Sequence, residues 1–152
     1  MKSGYTRDEL LKYSCVGSDL LELWEEANVF LINEAGKYTF RHLVQAVACD
    51  RLYRLGIKAP TLRSACRALD VSWQSGAATA FSAGHTNLWV SFSPSQVDRQ
   101  GARIEAAEPI ARVVSDVELL SDIRHAGRFG IAMNLTHIVR DVEERTGDKL
   151  AP

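Results

Sequence analysis

The sequence predicts an α+β protein, with four helices and one short hairpin in its first half and a smaller α+β unit behind them. Three observations predict it. Apolar residues recur at helical spacing through most of residues 7–69. Two short apolar runs, Leu88–Ser93 and Phe129–Leu135, have the length and composition of strands. Between the halves, Val71–Asn87 is rich in Ala, Gly, Ser and Thr and has little period. The expected division is a head over 1–70, a linker over 71–87 and an accessory or dimerisation domain over 88–152.

The elements follow in order. Thr6 and Glu9 form a capping box, so a helix starts at Arg7 and runs to Tyr13. Val16-Gly17-Ser18 is a turn, and Ser18 is the expected cap of a second helix whose apolar positions Leu20, Leu21, Trp24 and Ala27 fall at helical spacing. Asn28 can close that helix in a left-handed conformation. FLINEAGKYTF reads as two extended pieces around Asn33–Gly36, a hairpin. Thr39 caps a third helix from Phe40 to Leu55, with Val44, Ala48, Leu52 and Leu55 as its buried stripe and Gly56 as its stop. Pro60 suits the first turn of a fourth helix, Thr61–Leu69. After the linker, Leu88–Ser93 is a strand, and Ala102–Ala106 or Ala111–Val114 supplies its partner. Asp116–Ala126 is helical through Val117, Leu120 and Ile123, and Gly127 ends it. Phe129–Leu135 is a strand, and Thr136 is the expected cap of a last helix to Thr146.

At 152 residues, 46% apolar and 24% charged, the chain can bury a core. Its net charge of -1 hides a split. Residues 1–36 hold three bases and seven acids, a net of -4, while 37–67 hold seven bases and one acid, a net of +6. Such a surface of two signs says more about partners than the sum does. The three cysteines, Cys15, Cys49 and Cys66, form no C-x-x-C pair and read as buried thiols of a reducing compartment. No apolar run approaches a membrane span and no signal peptide opens the chain, so the expected location is the cytoplasm, without membrane contact.

Known chemistry-bearing motifs are missing. His42, His85, His125 and His137 are scattered, and no H-x-x-x-H, phosphate loop, dinucleotide fingerprint or G-x-S-x-G elbow occurs. The expectation is therefore no catalytic residue, no metal and no cofactor, in a protein that is not an enzyme.

The order helix, turn, helix, hairpin, helix, helix over Gly4–Leu69 resembles the MerR-type winged helix-turn-helix family. YTRDELLKYSCVGSDLLELWEEANVF is similar to that family's opening, with Trp24 and Glu25 at its aromatic-Glu step. KYTFRHLVQAVACDRLYRLGIKAPTLRSACRAL resembles the exit from the wing and the helices after it, including Leu55-Gly56-Ile57. The resemblance makes 1–70 a winged helix-turn-helix domain with a hairpin wing, in a bacterial DNA-binding transcription regulator that acts as a homodimer on double-stranded operator DNA. Its second helix would enter the major groove and its wing would touch flanking phosphates. The candidate DNA contacts are Lys12, Ser18, Lys37, Tyr38, Arg41, Arg51 and Arg54. The chain departs from that family in two ways. Asp19 and Glu22 stand where it often has Arg on the second helix, and the Ser/Gly/Ala-rich stretch replaces its long dimerisation helix. Its metal-sensing cysteines are also missing, so metal sensing does not carry over.

The acidic second helix supports an alternative, a protein-interaction module of winged-helix shape. Asp19, Glu22, Glu25 and Glu26 would then receive a basic protein partner, as in chaperone-modulator proteins whose second helix is similarly acidic.

Overall fold

The computed structural model describes residues 2–30, 36–76, 80–81, 83–92, 96–97, 100–101, 103–104 and 109–150. Within them the protein is α+β, with six α-helices and a three-stranded antiparallel sheet. The order is α1 (Arg7–Ser14), α2 (Ser18–Glu26), α3 (Phe40–Arg54), α4 (Ala59–Gln74), β1 (Thr86–Phe92), β2 (Gln96–Val97), β3 (Arg103–Ile104), β4 (Ile110–Ser115), α5 (Asp116–His125), β5 (Phe129–Asn134) and α6 (Leu135–Thr146). Of the hairpin expected over FLINEAGKYTF, residues 31–35 lie outside the described residues; in its second piece Tyr38 bridges to Tyr5, and Phe40 already opens α3.

α3 is the centre of the fold. Its apolar residues lie all round the helix rather than in one stripe, and ten of its fifteen residues are buried. α1, α4 and α6 pack around it. The expected stripe holds for Val44, Ala48 and Leu52, but Leu55 is 62% exposed because α3 ends at Arg54 and the chain turns away through Gly56. The two buried polar side chains of α3 are both bonded, as burial requires. His42 Nδ1 accepts from the Thr39 amide at 2.9 Å, and Gln45 Nε2 donates to the Cys66 carbonyl at 3.1 Å and to Asp70 Oδ1 at 2.8 Å.

Caps set most helix ends. The Thr6–Glu9 box forms in both directions. α1 stops where Cys15 turns left-handed, at φ 59°, and Asn28 takes φ 53° beyond α2. Ser18 is not the cap of α2. That place falls to Gly17, whose extended backbone lets its carbonyl accept from the Leu21 amide at 3.0 Å, and Ser18 is the first helical residue. Thr136 is likewise inside α6. Asn134 caps it by accepting from the His137 amide, which frees the Thr136 hydroxyl to donate to the Phe81 carbonyl. α4 runs to Gln74, past the expected stop at Leu69 and into the expected linker. Trp73 in its last turn meets Phe81 edge-on at 5.4 Å between ring centroids.

β1 is the central strand, antiparallel to both β4 and β5, in the order β4-β1-β5. Alternation along β1 splits its side chains between two faces. Leu88 and Val90 join the core beneath, with Val113 of β4 and Met133 of β5. Trp89 and Asn87 face the other way and bond to α5. α6 packs on α3, α1 and β1. Its Leu135, Ile138, Val139 and Val142 lie in the same apolar cluster as Tyr5, Leu21 and Trp24, so the core includes residues from both sides of 71–87.

Candidate functional site

The local fold decides which charged side chains of the head reach solvent. α2 buries Leu21 and Trp24 against the core. Helical spacing then turns Asp19, Glu22, Leu23 and Glu26 outward on one face, and all four are exposed. Leu23, at 52% exposure, sits among three carboxylates. Glu25 lies on the flank between this face and the core. Its Oε2 accepts from Arg7 at 3.0 Å, and its Oε1 accepts from the Tyr38 hydroxyl. Arg7 also reaches Glu22 at 3.5 Å.

The basic candidates do not gather. Arg41 pairs with Asp70 of α4 at 3.1 Å, Arg51 with Asp141 of α6, and Arg54 with Asp50 within α3 at 2.7 Å. Arg41 and Arg51 thus lean toward different helices. Tyr38 is buried at 4% exposure, and its backbone pairs with Tyr5 in an antiparallel bridge. Burial first, and the Glu25 carboxylate second, push its phenol up to about 12, so it stays a neutral donor. Lys12, Lys37 and Ser18 are exposed. The Lys12 ammonium lies 5.4 Å from the Tyr13 ring centroid, and the Lys37 stem runs beside Gly4.

Spacing alone points to the Arg54–Asp50 pair, which is one helical turn apart. The partners of Arg41 and Arg51 lie on other helices and leave no local signal. Sequence reasoning also missed Arg7, which joins α1 to α2, because it reads as an ordinary first-turn residue.

A shallow groove of about 400 Å³ runs beside the start of α2, lined by Ser18, Asp19 and Leu20 and by Asp50, Tyr53 and Arg54 of α3. Among the described residues no cluster of His, Cys, Asp and Glu could hold a metal ion. No helix among them is long and apolar enough to cross a membrane. No family model matches the chain, and no curated protein matches it in sequence.

Proposed function

We propose that the chain is a protein-interaction module that receives a basic segment of a protein partner on α2. One observation carries the reading. Asp19, Glu22 and Glu26 surround the exposed Leu23 on a single face, while Arg41, Arg51 and Arg54 are each taken up by an acid of the chain itself. Phosphates brought to that face would meet three carboxylates and, at its edge, only Arg7, which is already shared between Glu22 and Glu25. A helix bearing Lys or Arg around one apolar residue would find charge complementarity at the rim and a contact for Leu23 at its centre.

The test is capture from a lysate of the source cell with an immobilised chain. A Glu22→Lys/Glu26→Lys variant should lose the partner, and the captured protein should bind the wild type less well as salt rises. Equal capture by the variant ends this reading.

A second reading, a DNA-binding transcription regulator, is favoured by a specific feature at the start of α2. Gly17 caps it without a side chain, which leaves first-turn amides open beside the exposed Ser18. Among the described residues, Lys12 and Lys37 are the exposed cations of the DNA candidates that pair with no acid, so binding through them would give log K against log salt a slope of about -2 per chain. Fluorescence anisotropy on the duplex upstream of its own gene separates the two readings. Under the DNA reading the double lysine variant binds as well as the wild type or better.

A further inference from the structure

We infer that the exposed apolar stripe of α5 is the contact through which two copies of this chain pair, antiparallel, about a two-fold axis at Leu120. This does not rest on the function proposed above. α5 lies over β4 and β1, yet none of its ten residues is buried. Val117, Leu120 and Ile123 are 78%, 51% and 46% exposed. Three-residue steps on a helix place them within an arc of about 120°. Three large aliphatic side chains on one short amphipathic helix form a stripe that water covers poorly.

The charges indicate a second copy as the occupant. Asp116 and Arg124 lie one turn before and one turn after Leu120; the Asp116 carboxylate bonds to Asn87 and His85 of its own chain yet stays half exposed, so it can still meet a cation from outside. In an antiparallel pair centred on Leu120, Arg124 of each copy comes level with Asp116 of the other, and Val117 comes level with Ile123. A parallel pair would bring like charges together. The helix also carries acids in its first turn and bases in its last, so antiparallel packing opposes both end charges and dipoles. A two-fold contact needs this self-complementarity, and a contact with a foreign protein does not. Ala132, on the α5 side of the edge strand β5, is also exposed, so this side of the sheet does not obstruct a second helix there.

The test uses the full chain. Light scattering at tens of micromolar should give twice the 16.8 kDa chain mass, and Leu120→Asp should return it to one. Leu120 is already half exposed, so circular dichroism of the variant should match the wild type. The symmetry is read separately in a Cys15→Ser background. Leu120→Cys should form a covalent dimer on mild oxidation. Val117→Cys alone should do so far less, and Val117→Cys mixed with Ile123→Cys should cross-link well. A monomeric wild type, a dimer indifferent to Leu120→Asp, or Val117→Cys linking to itself as readily as Leu120→Cys would each overturn the inference.

Discussion

Trp89 Nε1 donates to Asp122 Oδ2 at 3.1 Å, and the same oxygen accepts from Arg112. Trp89 is 2% exposed, in the central strand, and Asp122 is in the helix that crosses it. α5 has no buried apolar residue of its own, so this carboxylate is a main tie between helix and sheet. Asp122→Ala should leave the indole N–H unpaired under the helix and cost about 1–3 kcal/mol. Adding Trp89→Phe removes the orphaned donor, so the double variant should lose less than the two single losses summed. Urea midpoints of the four proteins, read by circular dichroism, check the cycle.

Acid should loosen α5, as it should the Lys2–Glu9 and Tyr5–Asp148 contacts of the head, whose carboxylates are likewise held low. The Arg112 hydrogen bond holds Asp122 below the usual carboxylate range. Asn87 and then His85 do the same for Asp116, and the Ser115 amide does so for Glu118. Each group titrates lower folded than unfolded, so its contribution is present above the unfolded value of about 4 and fades as pH falls through the folded value. Protection of the α5 amides against hydrogen exchange should therefore fall below about pH 4, ahead of that of α3. Asp116→Asn/Glu118→Gln should flatten that dependence. An unchanged profile in the variant would place the acid response elsewhere.

The thiols should divide one against two. Cys15 is exposed, contrary to the expectation of three buried thiols, because it occupies the left-handed residue that ends α1. Cys49 and Cys66 are buried between α3 and α4 with their sulfurs 3.4 Å apart. The hydrogen bond to Cys49, with burial next, raises the Cys66 thiol well above its ordinary value and starves it of reactive thiolate. A thiol-specific chromogenic disulfide should titrate one cysteine fast in the native protein and all three in denaturant. Two fast thiols would contradict this placement.

Local chemistry was legible in the sequence, and long-range pairing was not. The Thr6–Glu9 box, the Pro60 start and the Asn28 turn each depend on neighbours within a few residues, and each is found. Ser18 and Thr136 were misread as caps for a related reason. Any hydroxyl near a helix start looks like a cap, and only backbone angles show that Gly17 and Asn134 precede them. The end of α4 was hidden because Val71-Ser-Trp-Gln is neutral to helix formation, and tertiary contact of Trp73 with Phe81 decides it. At the candidate surface, outward acids on α2 followed from period alone. The fate of Arg41 and Arg51 did not, since Asp70 and Asp141 are brought to them by the packing of α4 and α6 on α3.

Gly130 in β5 stands opposite Ser91 of β1. A Cβ there would lie 2.0 Å from the Val90 carbonyl oxygen and 2.9 Å from the Ser91 Cα, both backbone atoms of the central strand that cannot swing aside. Glycine at this place reflects close approach of two backbones rather than a turn. Gly130→Ala should push β5 off β1 and cost about 1–3 kcal/mol, as overpacking does. Ala132 lies two residues along on the same face and is exposed. Ala132→Val should therefore be tolerated, since a β-branched side chain suits an open strand. Thermal melts of the two variants decide the matter. Equal midpoints would mean that β5 does not lie this close to β1.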